Sequence, residues 1–123
     1  MAEMAANVGQ VPRTINANGA LARGLRCTLN SSGTCDLSAI GVRGDYITAV
    51  DIPALSAGVG YPTGGGGKVP AVASVAVAVG DPAYSAAAGQ FSNVSTGAVL
   101  MGKWVLAASG AGVLGEVELE SAA

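Results

Sequence analysis

Turn-forming residues cut this chain every ten to fifteen positions, and that spacing limits the fold more than any other feature. Clusters stand at Asn30-Ser31-Ser32-Gly33, Gly64 to Gly67, Gly80-Asp81-Pro82, Ala88-Gly89-Gln90 and Ser109-Gly110-Ala111-Gly112. The segments between them are short and carry no sustained helical period. The one helix candidate is 52–57. The rest reads as strands. Leu25 to Leu29 alternates, as does Cys35 to Ala39. Asp45 to Ile52 is rich in β-branched and aromatic residues and stops at Pro53. Val69 to Val79 predicts a longer strand with Val75, Val77 and Val79 on one side. Tyr84 opens a short strand. Val99 to Ala107 is apolar on both faces, the pattern of a strand covered on both sides. In 113–120, Val113, Gly115, Val117 and Leu119 alternate with Leu114, Glu116, Glu118 and Glu120, giving one core face and one acidic, wet face. No repeat at a solenoid period is visible.

Short strands at this spacing predict an all-β domain, a small β-barrel or β-sandwich of antiparallel strands over residues 21–123. Residues 1–20 mix Asn, Gln, Gly and Pro12 with scattered Val8, Val11 and Ile15. They are expected to form an extended N-terminal arm. The start has no basic region and no apolar core, so synthesis in a cytoplasm is expected. No apolar run reaches the length of a membrane-spanning helix.

Charge narrows the function. The chain has six Lys+Arg, eight Asp+Glu and no histidine, and only 11% of its residues are charged. A compact chain of 11.8 kDa exposes roughly 5,900 Å², or about one charge per 420 Å². That is about half the usual charge density, and it argues that part of the surface is buried in an assembly. Too few cations are available for nucleic-acid binding. Without histidine there is no Ser/His/Asp or Cys/His arrangement, and Lys68 and Lys103 have no serine at a catalytic spacing. Asp36, Asp45, Asp51 and Asp81 sit at turns and strand ends, where aspartate serves local hydrogen bonds. No enzyme activity, metal or cofactor is expected.

Gly60 to Lys68 invites a phosphate-loop reading, but Pro62 stands where that motif needs glycine and Val69 where it needs Ser or Thr. Residues 55–68 therefore read as a flexible glycine loop. Tyr61 is its natural partner-facing anchor, and Lys68 lies in the same contact region. Arg23 and Arg26 form a pair able to clamp an acidic partner, with solvated strand charges as the simpler reading. Arg43-Gly44-Asp45 spells a tripeptide used in integrin binding, but it leads directly into a strand and reads as a turn. Tyr46 and Trp104 are assigned to the core. Cys27 and Cys35 flank a turn, and a hairpin centred on Ser31 would set them opposite each other. They read as free thiols, although a cross-strand disulfide is geometrically conceivable.

In the C-terminal half, Gly80-Asp81-Pro82-Ala83-Tyr84, Ala88-Gly89-Gln90-Phe91, the stretch from Gly97 to Trp104, Ala107-Ala108-Ser109-Gly110 and Val117-Glu118-Leu119 form a series of turns and short strands. This series resembles the capsid cement, or head-decoration, proteins of tailed bacteriophages. The likeness spans about 69–120 and is weaker over 20–60. Met101 to Trp104 depart from the small residues usual there. The resemblance implies a non-catalytic virion protein on the outer surface of an icosahedral head. There it would cement neighbouring subunits of the major capsid protein, as a homotrimer or sometimes a dimer, with no nucleic acid or membrane as partner. Val8, Val11 and Ile15 are the expected arm contacts, by strand addition to a neighbour's edge. The alternatives are another structural or binding module: a tail-spike base, an adhesin or a cellular shell protein.

Overall fold

A computed structural model describes residues 11–121. Its ten strands are β1 (Arg13–Asn16), β2 (Arg26–Leu29), β3 (Cys35–Leu37), β4 (Tyr46–Thr48), β5 (Ala57–Pro62), β6 (Gly65–Val72), β7 (Pro82–Ser85), β8 (Phe91–Ser92), β9 (Leu100–Leu106) and β10 (Leu114–Ser121). They form two five-stranded antiparallel sheets, ordered β1-β5-β4-β2-β3 and β6-β10-β9-β7-β8. The all-β expectation holds, and the described residues contain no α-helix.

The two orders are the same order. The first five strands and the last five are two copies of one design. Isolated bridges join Ala17 to Cys35 and Leu21 to Ile52 in the first copy, and Ala73 to Phe91 and Val77 to Ala108 in the second. Each second-copy residue lies 56 positions after its counterpart. Backbone bonds repeat the offset: Gly24 N–H to Thr48 and Gly80 N–H to Trp104, Thr48 N–H to Leu25 and Trp104 N–H to Asp81. The sequence hides the repeat because few identities survive. Those that do include Gly24/Gly80 and Gly33/Gly89, all four at positive φ, where a side chain would be strained.

Each copy curls around its own small core. Ile15, Ala17, Leu21, Cys27, Cys35 and Ile52 fill the first. The second is larger and includes Val69, Phe91, Met101, Trp104, Val117 and Leu119, and it takes in Ile47 from the first copy with Tyr61 packed alongside. Trp104 is fully buried, its indole N–H donates to the Ser92 carbonyl at 3.2 Å, and Phe91 meets it edge-on at 6.3 Å. The copies therefore pack head to tail, through unlike faces. At the second-copy position equivalent to Ile47 stands Lys103, which is exposed. The face of the second copy that corresponds to the packed one is therefore polar at this position.

Several expectations need correction. The glycine segment 55–68 is mostly strand: β5 ends at Pro62, the chain turns at Thr63 and Gly64, and β6 begins at Gly65 in the other sheet. The glycines fit because little room exists for side chains: a Cβ on Gly60 would lie 2.9 Å from Ile15 Cδ1. Residues 74–79 are not strand, and only Val77 of the three valines is buried. Residues 52–57 form a bridge and a turn, with Leu55 at φ 58. In β9 the outward residues Leu100 and Leu106 are left uncovered. The arm begins to fold earlier than expected, because β1 pairs along its length with β5 of its own sheet, Ile15 opposite Gly58.

Candidate interaction surfaces

The residues expected at an interface are dispersed. Val8 lies outside the described residues. Val11 is exposed, whereas Ile15 is buried in the first core and offers nothing to a neighbour. Arg23 is exposed, and its backbone N–H is held by Asp51 at 2.8 Å. Lys68 is exposed on β6, opposite Glu118, which in turn lies opposite Lys103. This places a polar stripe across the outer face of the second sheet. Tyr61 is half-buried against the second core and is no loop anchor.

Arg26 departs furthest from expectation. Its side chain is fully buried and joins the two copies. Nε donates to the Gln90 carbonyl at 3.2 Å. Nη1 donates to Ala39 at 3.4 Å and to Val42, and Nη2 to Ala86. The guanidinium lies 5.8 Å from the Phe91 ring centre, a cation–π distance. Burial pulls its pKa down to about 10, still well above neutrality, so the group stays charged. It acts within the chain and cannot clamp an acidic partner. The sequence holds no signal for this, since Arg26 alternates with apolar residues as a solvated strand charge would.

Arg43 and Asp45 are likewise turned to structural work. Arg43 donates to the carbonyls of Thr63 and Glu120, both at 3.1 Å, and to Leu100 at 3.5 Å. Asp45 accepts the Leu29 N–H at 2.8 Å. The tripeptide is thus a braced turn rather than a projecting loop. The other aspartates also serve locally. The Ala78 N–H and the Asn93 amide hold the Asp81 carboxyl below its ordinary pKa. The Asn30 and Asn18 amides do the same for Asp36. Among the described residues no cluster of three potential metal ligands occurs, and no helix is long and apolar enough to cross a membrane.

The cysteines are free and buried. The hairpin register differs from the expected one by two residues: Cys27 pairs with Leu37, and Leu29 with Cys35. The thiols are diagonal neighbours on one face rather than directly opposed, and Cys27 Sγ donates to the Tyr46 carbonyl at 3.5 Å. Burial pushes both thiols up, and their proximity adds to this for Cys27. A raised thiol pKa means less thiolate at any given pH, and thiolate is the reactive form. In the native protein at pH 8, thiol-reactive dye is expected to label both at least about 100-fold more slowly than in denaturant, where opening no longer limits access. Two thiols should then react per chain without reductant. Fewer than two would show oxidation.

What the surface does offer is uncovered aliphatic side chains. Fifteen large hydrophobic residues are exposed among those described, from Val11 and Leu29 to Val113 and Leu114. Scattered singly they would be ordinary, but few charges stand between them. Two groups come together in space. Ile40 and Val42 lie on the loop between β3 and β4, and Val94 and Leu100 lie on or beside the loop between β8 and β9. These are the same loop in the two copies.

No family model matches the chain, and no curated protein sequence does. Among solved structures the chain is similar to the N base of the head fiber protein gp8.5 of bacteriophage phi29, with 18% identity over 90% of this chain and 94% of that one and a TM-score of 0.68. At that identity the likeness is one of fold: this chain shares nearly the whole architecture of a head fiber base.

Proposed function

We propose that this chain is a non-catalytic structural protein of a tailed-phage virion that binds the outer surface of the head. The observation that carries the reading is the end-to-end likeness of fold to a phage head fiber base. Two features of the chain support it: a surface poor in charge with many uncovered aliphatic residues, and polar groups committed to backbone bonds rather than gathered into a reaction centre. The partner in this reading is the major capsid protein. The finer role is cementing, in which one molecule or one small oligomer touches several capsid subunits and gains affinity by multivalency.

The test uses heads of the parent phage stripped of this protein. Purified protein is expected to bind them to saturation at a fixed number per head, and bound heads should withstand heat or denaturant that opens bare ones. Binding without added resistance would reduce the role to anchoring, as for a fiber base. Absence of binding, with affinity for a glycan or a cell surface instead, would replace the reading with an adhesin.

A further inference from the structure

We propose that Asn18 is a site of spontaneous covalent modification, converted through its neighbour Gly19 to aspartate and isoaspartate, and that the conversion loosens the seam of the first copy. The step needs only water. The Gly19 backbone nitrogen attacks the side-chain carbonyl carbon of Asn18. The carbon–nitrogen bond of the amide breaks, and ammonia leaves with the proton that Gly19 gives up. Water then opens the cyclic imide at either carbonyl, which yields aspartate or isoaspartate with no oxidation or reduction.

Asn18 is the one asparagine of the chain followed by glycine. The attack brings the next residue's backbone against the side chain, and glycine permits that approach because it has no Cβ. Asn18, Gly19 and Ala20 are all exposed. A Cβ on Gly19 would meet nothing within 4 Å, and no backbone carbonyl among the described residues takes the Gly19 N–H. Asn30, by contrast, is locked at both ends of its amide. Its Oδ1 accepts the Ser32 and Thr34 N–H groups, and its Nδ2 donates to Thr34 and Asp36. Asn16 precedes the buried Ala17, and Asn93 precedes the branched Val94.

The position of Asn18 gives the change its consequence. Ala17 bridges Cys35, the Asn18 N–H donates to the Cys35 carbonyl at 3.1 Å, and the Asn18 amide donates to Asp36 at 2.9 Å. These contacts tie the end of β1 to β3, the strands at opposite edges of the first sheet, and so close it over Cys35. Conversion puts a carboxylate against Asp36 where a donor stood, which sets like charges together. Isoaspartate also lengthens the backbone beside the bond to Cys35. The second copy is spared, because Ser74 and Val75 stand at the equivalent positions: the Ser74 N–H donates to the Phe91 carbonyl as Asn18 does to Cys35. No partner is needed, and on a virion, where no chain is replaced, the product accumulates with age.

The test holds the full chain at pH 8 over weeks and follows the tryptic peptide Thr14–Arg23 by mass spectrometry with fragmentation, which separates Asn16 from Asn18. The peptide is expected to gain the mass of an amide-to-acid exchange at Asn18 and to split into aspartate and isoaspartate forms. Gly19→Ala has room and no positive φ to strain it, and it should slow the gain at least ~10-fold. Asn18→Asp carries the product from the start. With thiol-reactive dye it should label Cys27 and Cys35 at least ~10-fold faster than fresh wild type, through easier local opening. The proposal is overturned if the aged peptide keeps its mass at Asn18, if Gly19→Ala converts as fast as wild type, or if Asn18→Asp labels no faster.

Discussion

Arg26→Ala is expected to cost about 4 kcal/mol, a large share of the 5–15 kcal/mol that holds a domain of this kind together. The substitution removes donors from four carbonyls, those of Gln90, Ala39, Val42 and Ala86. The Gln90 and Ala39 carbonyls keep the backbone N–H groups of Ala86 and Val42, so the loss falls on Val42 and Ala86, and a buried carbonyl left without a donor costs on the order of 1–3 kcal/mol. The change also opens a cavity beside Phe91, as large-to-small changes in a core do. Against these losses stands one gain, since a buried charge no longer has to be desolvated. Arg26→Lys separates the terms. It keeps the charge but replaces a planar fork with a point donor that cannot span acceptors on both copies, so a loss of about 2 kcal/mol is expected. Arg23→Ala, at an exposed arginine of the same segment, should change stability by less than about 0.5 kcal/mol. Urea unfolding followed by Trp104 emission measures all three. A loss at Arg26 below about 1 kcal/mol would mean that the copies are held together by the apolar contacts of Ile47 and Tyr61 rather than by the arginine.

The same arginine shows what a sequence of this kind discloses. Strand positions followed from turn chemistry, because Asn30-Ser31-Ser32-Gly33 and Gly80-Asp81-Pro82 must reverse the chain wherever the rest of it goes. β10 was legible for a related reason: one of its faces is wet, and Glu116, Glu118 and Glu120 mark it. Where the outer face of a strand carries apolar residues, or a charge is turned inward, that mark misleads, and there the reading fails. Arg26 looks like a solvent charge although it is enclosed, and Leu100 and Leu106 look like core although they are uncovered. The glycines of β5 and β6 were misread because glycine signals freedom when neighbours are unknown. Here Ile52 occupies the space a side chain would take at Gly58, and Ile15 and Tyr46 do so at Gly60, while Gly66 and Gly67 hold a positive φ. The duplication was hidden most completely. It lives in backbone bonds, while the side chains diverged to serve opposite ends of one head-to-tail contact, as Ile47 and Lys103 do. The meeting of the two equivalent loops was hidden with it, since nothing in sequence brings Ile40 beside Val99 until Ser85 bridges them.

Gly102→Ala is expected to be as damaging as the loss of Arg26, for a steric reason alone. Gly102 lies in β9 between Leu119 of β10 and Ala83 of β7. A Cβ there would sit 2.0 Å from the Glu118 carbonyl oxygen and 2.9 Å from the carbon that bears it. Both are backbone atoms of a paired strand, so no rotamer relieves the clash, and β9 and β10 must part. Overpacking in a well-filled interior costs about 1–3 kcal/mol when side chains can adjust, and more when they cannot. A loss above about 3 kcal/mol follows, or a melting temperature lower by about 10–15 °C for a domain of this length. Gly110→Ala is the matched control, because its added Cβ meets nothing within 4 Å. It should be neutral or stabilising by about 0.5 kcal/mol through the unfolded state.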